Sequence, residues 1–282
     1  MTGKQIRSWA WNRAGEGRGL LIAVTITDLA AGLPLTIAKR LLTTASWPVR
    51  ELVPIPFFLL RTLMQMGVIF VMLRAAQGQE VRYGQIAAPF RREWWKKALL
   101  LAAAYLVATA LAQLGPNLLA IKAQERMSAS GYFPIPGWTP TTQEDLAELA
   151  IYQKGQRLLG LSRGLGVLLG LVVTGVWFPM EYMLFLNPEK RAGQIFREGI
   201  SLGLRSLGRI LVFQLWLVLP FLLPVFLVLL ANEAASGWGP FLLILWLGVL
   251  VWATPYIDLA RAGLALNLLG KRPKGTGKKK GT

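Results

Sequence analysis

The sequence predicts an all-α fold, a polytopic bundle of about six transmembrane helices. The chain has 282 residues, of which 54% are hydrophobic and only 16% are charged, whereas ordinary soluble domains have about 25% charged residues. The mean hydropathy is +0.46, and the apolar residues form runs of about 20 residues, the length that crosses a bilayer as a helix. We therefore expect residues 1–270 to form a single transmembrane domain.

The predicted spans are not equally strong. They cover residues 20–38, 52–73, 98–121, 164–186, 210–231 and 241–262. The last four are predicted from the length of their apolar runs. The first two carry Asp28 and Arg61, each of which costs a few kcal/mol in the middle of a bilayer. An interfacial position of either weak segment is therefore an open alternative.

The distribution of basic residues predicts the topology. With six spans, 22 Lys and Arg residues fall on the side that holds both termini and only 7 on the other side. Because basic residues accumulate in cytoplasmic loops, we expect a multi-pass protein of the cell inner (plasma) membrane with both termini in the cytoplasm. Residues 122–157 then form an external loop, in which Thr142 begins a capped helix.

The net charge of +17 favours anionic lipid headgroups over nucleic acid as the partner, because the basic residues lie between long apolar runs. The final segment, residues 271–282, is predicted to be a disordered basic tail that touches headgroups. Its basic residues are Lys271, Arg272, Lys274, Lys278, Lys279 and Lys280.

Cysteine and histidine are both absent from the sequence. This excludes disulfides, thiolate nucleophiles, imidazole acid–base chemistry and the usual soft metal ligands. An enzyme in the membrane would have to use carboxylates alone, and no paired-carboxylate metal motif lies in a loop. We therefore expect no metal, no cofactor and no enzymatic activity.

Five charged residues within or near the spans are the candidate functional residues: Asp28, Arg61, Glu181, Asp258 and Arg261. The first two lie at similar depths on adjacent antiparallel spans, so they are predicted to neutralise one another. Asp258 and Arg261 share a helix face at i,i+3 spacing. Three interpretations are open: a polar relay or ion site, paired charges that hold the helices together, or an Arg261 side chain that extends to the lipid headgroups.

Prolines and glycines complete the candidate set. Pro179, Pro220, Pro224 and Pro255 are predicted to kink their helices. The small-residue pairs Gly160 with Gly164 and Gly166 with Gly170 let another backbone approach closely. Packing within the chain and a homodimer face are both consistent with these spacings.

A short internal repeat is a further candidate feature. Gly84-Gln85-Ile86 recurs as Gly193-Gln194-Ile195, and each copy lies in a basic segment between two spans. The repeated unit would be a helix, a basic amphipathic segment and a second helix, and parallel repeats are one building plan of transporters. Coincidence is the competing interpretation for so short a match.

A family resemblance follows from longer motifs. These are Glu181-Tyr-Met-Leu-Phe-Leu-Asn187-Pro188, Gly199-Ile-Ser201-Leu-Gly203, Trp252-Ala-Thr-Pro255-Tyr256 and, in the first half, Leu73-Arg74-Ala-Ala-Gln-Gly78. The chain resembles a bacterial group of uncharacterised multi-pass integral membrane proteins, related to the membrane domain that precedes some glycerophosphoryl diester phosphodiesterases. The resemblance implies a helical bundle with no established activity, and phosphodiesterase activity is not carried over.

Together these features predict an integral membrane protein that acts as a non-enzymatic accessory factor or as a subunit of a membrane complex, either as a homo-oligomer or with other membrane subunits. The alternative is a transporter of a small or amphipathic solute that uses the intramembrane carboxylates.

Overall fold

A computed structural model shows the chain as a helical bundle. The structure describes residues 1–15, 18–42, 46, 49, 52–131, 142–234, 239–271 and 273, with side chains at all of these positions except 39, 218, 220–234, 239–247 and 250. The α-helices are α1 (Gly3–Gly15), α2 (Arg18–Leu41), α3 (Pro54–Ala76), α4 (Trp95–Ala129), α5 (Gln143–Leu186), α6 (Ala192–Ala234) and α7 (Gly239–Leu268), and a 3-10 helix covers Tyr83–Phe90. No strand occurs among the described residues, which confirms the all-α class.

Several helices are long and apolar enough to cross a membrane. Within the described residues they are Arg18–Ala38, Pro54–Ala76, Trp95–Ala129, Gln143–Leu186 and Ala192–Leu217. They correspond in order to the first five predicted spans. The sixth predicted span lies on α7, a helix of 30 residues whose first part has no described side chains. The chain is therefore a multi-helix membrane protein, with about six spans.

The helices extend beyond the predicted spans into the segments that connect them. The sequence predicts an external loop over residues 122–157, but α4 continues to Ala129 and α5 begins at Gln143. Likewise α6 begins at Ala192 and not at residue 210. The basic stretch before residue 210 is helical because arginine is a good helix former and because Ile195 is fully buried on one face.

The starts of α1 and α5 are fixed by reciprocal capping bonds. The Thr2 N–H donates to Gln5 Oε1 at 2.8 Å, and the Gln5 N–H donates to Thr2 Oγ1 at 3.3 Å. Thr142 and Asp145 exchange the same two bonds at 3.0 and 3.1 Å. Each pair satisfies backbone donors that a helix start leaves unpaired, and the second confirms the predicted helix start at Thr142.

The end of α7 is set by a glycine. Gly270 has a φ of 71°, and the Lys271 N–H donates to the Leu266 carbonyl at 2.8 Å. This is the long bond of a Schellman motif, in which glycine adopts the left-handed conformation without steric cost. The helix therefore stops sharply where the basic tail begins.

Contacts divide the chain into two compact units: Tyr105–Thr174, the hairpin unit, and Met1–Ala104 with Gly175–Thr282, the main unit. Within the hairpin unit, α4 and α5 pack antiparallel in a regular register. The polar contacts between them join Tyr105 Oη to Thr174 Oγ1 (3.4 Å), Gln113 Nε2 to the Gly166 carbonyl (3.0 Å) and Ser162 Oγ to the Pro116 carbonyl (2.7 Å). Such interhelical hydrogen bonds stabilise helix pairs in lipid.

In the main unit, Met1 and the end of α7 meet the basic segments that the sequence assigns to one side. The hydrogen bonds run from the Met1 amino group to Asn267 Oδ1 (3.1 Å), from Lys271 Nζ to the Leu186 carbonyl (3.3 Å) and from Lys97 Nζ to the Pro188 carbonyl (2.6 Å). The start of α1, the start of α4, the end of α5 and the end of α7 therefore lie at a common end of the main unit.

The N-terminal helix α1 is an element that the sequence reading treats only as a basic segment. It buries Ile6 and Trp9, and both lie against Gly263 of α7, where an added Cβ would come within 3.0 Å of each side chain. Arg13 of α1 also donates from Nε to the Ala75 carbonyl at 3.2 Å, near the end of α3. The helix α1 therefore connects the ends of α7 and α3.

Candidate functional site

The candidate site is a group of five charged residues in the main unit, here called the charge cluster. Asp28 lies on α2, Arg61 on α3, Glu181 on α5, and Asp258 and Arg261 on α7. The i,i+3 spacing of the last two puts both on one face of α7. Four helices therefore contribute to one group of charges.

Arg261 occupies the centre of the charge cluster. Its Nη1 atom lies 3.8 Å from Asp258 Oδ1, and its charge also acts on the carboxyl groups of Asp28 and Glu181. The guanidinium lies 5.7 Å from the centre of the Phe178 ring, close enough for a cation–π contact. A single cation thus interacts with carboxyl groups from three helices.

Arg61 completes the charge cluster at the α2 and α3 side. A Cβ added at Gly32, one turn after Asp28, would lie 3.4 Å from Arg61 Nε, and the charge of Arg61 acts on Asp28. However, no direct ion pair within 4.0 Å joins Asp28 to Arg61 among the described residues. The predicted pairing is therefore an electrostatic proximity and not a salt bridge, since equal depth does not fix which way two helix faces point.

The charge cluster is partly enclosed, because Arg61 is exposed whereas the charged groups on α5 and α7 are largely buried. Glu181 is 7% exposed, while the side chains of Arg261 and Asp258 are 20% and 21% exposed. Asp28 Oδ1 is buried and has no hydrogen-bond partner in the described part of the chain. Three carboxyl groups against two guanidinium groups leave room for one more positive charge, a cation or a proton.

No metal site is formed where the structure describes the chain, since no group of three or more Asp or Glu residues is placed to hold an ion there. Hydroxyl groups near the charge cluster serve the helices themselves: Thr25 Oγ1 donates to the Leu21 carbonyl at 3.0 Å and Thr62 Oγ1 to the Phe58 carbonyl at 2.9 Å. The charge cluster therefore offers electrostatic interaction and proton or cation exchange.

The predicted kink positions have different outcomes. Pro179 lies inside α5 and Pro255 inside α7, and both helices continue through them. Pro220 and Pro224 lie on the part of α6 whose side chains are outside the described residues.

The two glycine pairs also differ, although both lie on α5. A Cβ at Gly166 would lie 3.0 Å from Gln113 Oε1, and one at Gly170 would lie 3.8 Å from Gln113 Nε2, so this pair faces α4 within the hairpin unit. A Cβ at Gly160 or Gly164 would meet nothing within 4 Å. The second pair therefore faces outward.

The predicted headgroup-binding tail lies mostly outside the described residues, which include Lys271 but not Arg272, Lys274 or residues 278–280. Residues 132–140 of the predicted external loop also lie outside them.

The short repeat is matched by local geometry. The Arg82 N–H donates to Gln85 Oε1 at 3.3 Å, and the Arg191 N–H donates to Gln194 Oε1 at 3.1 Å. The isoleucine that follows each glutamine is buried, at 6% exposure for Ile86 and 0% for Ile195. The first copy forms an eight-residue 3-10 helix that contains Pro89, whereas the second starts the long helix α6.

Two concave surfaces of the main unit, a pocket and a groove, were not singled out by the sequence. One is a pocket of about 400 Å³ lined by Arg74, Glu80, Arg82, Gly84, Gln85 and Arg91. The hydrogen bond and charge of Arg82 hold the pKa of the Glu80 carboxyl below its usual range, so the pocket supplies its own anion. The other is a groove of about 380 Å³ between α1, α6 and α7. Helix α1, which lines this groove, could have been predicted from the sequence. Thr2 and Gln5 have the spacing of a helix cap and precede the apolar residues Ile6 and Trp9.

Comparisons with protein-family models, with curated proteins and with solved structures give no match to this chain.

The central position of Arg261 gives a testable prediction. We expect Arg261→Gln to lower the free energy of unfolding by about 3 kcal/mol, because it leaves carboxyl groups in an enclosed site without their shared cation. Adding Asp258→Asn to this variant should recover part of the loss. The measurement is thermal or denaturant-induced unfolding in mild detergent.

The matched control is Arg82→Gln, which removes an arginine from an exposed pair with Glu80, whose side chains are 73% and 74% exposed. Exposed pairs contribute little, so this variant should unfold like the unmodified protein. Equal effects of the two substitutions would show that Arg261 has no special role in stability.

Proposed function

We propose that this chain is a non-enzymatic component of a membrane complex, an accessory factor or subunit that binds another transmembrane helix. The observation that carries the proposal is one outward face of α5 in the hairpin unit. This face consists of Gly160, Arg163, Gly164, Val167, Leu168 and Leu171, which are all exposed.

The outward face has the composition of a helix-packing surface. Its residues follow the i, i+3, i+4, i+7 pattern of a single helix face. Gly160 and Gly164 form a flat strip with empty space above it, and close approach of backbones at small residues drives helix association in lipid. Val167 and Leu168, at 64% and 62% exposure, extend the strip with apolar side chains.

Arg163 specifies the chemistry of the partner. It is exposed between the two glycines, on a helix whose apolar run begins at that point. An arginine on an apolar surface is costly unless an opposite charge or headgroup satisfies it. A partner helix with a carboxyl group opposite Arg163 would pair that charge and pack on the glycines, so we infer a partner helix with an Asp or Glu residue.

The proposal includes the placement of the protein in the membrane. We propose that the end of the main unit that holds Met1 and Lys271 faces the cytoplasm of the inner membrane. The excess of basic residues in the segments that meet there supports this orientation. Those residues favour lipids with anionic headgroups. The family that the sequence resembles consists of membrane proteins with no established activity, which is compatible with this proposal.

Leucines at the two outward glycines test the proposal. We expect Gly160→Leu with Gly164→Leu to reduce the recovery of the partner subunit by at least about tenfold, the effect of about 1.4 kcal/mol, because the added side chains separate the helices. The measurement is purification in mild detergent, followed by the mass of the complex and identification of its subunits.

Gly248→Leu is the control, because Gly248 of α7 also has nothing within 4 Å of an added Cβ. It should leave the complex intact. Charge reversal gives a second arm: Arg163→Glu should release the partner, and a Lys in place of the partner's acidic residue should restore binding. Unmodified protein that purifies as a lone monomer would contradict the proposal.

Transport is the second candidate function. It is favoured by the excess of carboxyl groups in the charge cluster and by the partial exposure of Asp258 and Arg261. A cation or proton that moves through the cluster would exchange between Glu181 and Asp258, which both interact with Arg261.

Neutral replacements decide whether the charge cluster carries ions. If the protein is a transporter, Glu181→Gln and Asp258→Asn should each abolish proton- or cation-coupled flux in reconstituted vesicles, while Glu80→Gln should not. Flux that is unchanged in the first two variants would eliminate transport by these carboxyl groups.

A further inference from the structure

We propose that the groove between α1, α6 and α7 binds one anionic phospholipid, with its phosphate at Arg7 and Arg209 and an acyl chain on the apolar floor. The groove has a volume of about 380 Å³ and is lined by Gly3, Ile6, Arg7, Gly208, Arg209, Val212, Phe213, Trp216 and Leu264. This inference is independent of the partner helix proposed above, since it concerns the main unit.

The groove is charged with a single sign. Arg7 and Arg209 are its two charged lining residues, and no carboxyl group belongs to the lining. The guanidinium of Arg7 lies 6.0 Å from the centre of the Trp216 ring, at the outer limit of a cation–π contact. A guanidinium placed in this way keeps its N–H groups available for a phosphate, which arginine binds with charge-assisted hydrogen bonds.

The rest of the groove is apolar. Ile6 is 1% exposed and Phe213 is 5% exposed, so they form the floor, whereas Val212 and Trp216 are 57% exposed and form an open wall. Val212 and Trp216 are four residues apart on α6 and lie along one face. A free phosphate would leave this apolar surface uncovered, whereas an acyl chain attached to the phosphate would cover it.

The position of the groove agrees with a lipid site. Gly3 and Arg7 lie within two turns of Met1, which is bonded to Asn267 at the end of α7. Arg209 precedes the apolar stretch of α6 that begins at Ile210. A headgroup at Arg209 and an acyl chain along Val212 and Trp216 would follow the same polar-to-apolar order as the helix itself. Each arginine near an anionic leaflet also adds to the affinity for anionic lipid.

Lipid titration of the full chain in mild detergent tests the assignment. The probes are short-chain phosphatidylglycerol, the matching phosphatidylcholine and inorganic phosphate, and the readout is the bound lipid count by native mass spectrometry. We expect phosphatidylglycerol to bind at least about tenfold more tightly than phosphatidylcholine, from the attraction of two arginines. Inorganic phosphate at millimolar concentration should not displace it.

Variants locate the site. Arg7→Gln with Arg209→Gln should remove the preference for phosphatidylglycerol, while Arg7→Lys with Arg209→Lys should retain most of it. Arg92→Gln with Lys96→Gln is the matched control, because it removes the same charge from two exposed basic residues outside the groove; it should retain the preference. Trp216→Ala should weaken both lipids alike, since it shortens the apolar wall.

Four results would overturn the proposal. Three of them are equal affinity for the two lipids, displacement by inorganic phosphate alone, and an equal loss in the matched control; the fourth concerns the lysine variant. Because the lysine variant keeps both charges, it separates a loss of binding from a loss of folding. An equal loss of preference in the lysine and glutamine variants, with helical content unchanged, would show that the charges at these positions do not bind the headgroup.

Discussion

The interaction on which the main unit depends is that of Arg261 with carboxyl groups from α2, α5 and α7. Charged side chains in apolar helices are tolerated only when other groups in the protein compensate them. Arg261 lies 3.8 Å from Asp258 and also acts on Asp28 and Glu181. These helices therefore have to keep a common register, because sliding or rotating any one of them would separate a carboxyl group from the shared cation. Arg61 extends the same constraint to α3 through Asp28.

A second constraint acts at the end of the main unit where Met1 meets the end of α7. Met1, Lys97 and Lys271 each donate a hydrogen bond to another segment there, and Arg13 donates to the end of α3. Three of these donors satisfy carbonyl groups at or just beyond helix ends, which helices leave unpaired. Basic residues in this region thus cap helix ends. The Arg7 and Arg209 groove lies in the same region.

Hydropathy and the period of the helix were enough to predict the all-α class and the order of the spans, because apolar length alone distinguishes a span. They were not enough to predict where the helices end. Arg197 and Arg205 are equally compatible with a basic loop and with the exposed side of a helix, and burial of Ile195 decides in favour of the helix.

The charge cluster was predictable as a set of residues, since each is a charge in an apolar run. Which of these residues interact was not predictable, because sequence position gives the depth of Asp28 and Arg61 but not the direction in which each side chain points. The groove combines α1, α6 and α7, so it depends on tertiary packing that no local pattern reveals.

The central claim is that charges from separate helices act as one network around Arg261. A double-mutant cycle between Asp28 on α2 and Arg261 on α7 tests it most directly, with unfolding free energies measured for Asp28→Asn, Arg261→Gln and the double variant in mild detergent. We expect a coupling energy of at least about 1 kcal/mol, as found for residues that share one electrostatic network. Effects that add to within about 0.5 kcal/mol would contradict it, because they would show that Asp28 and Arg261 contribute to stability independently.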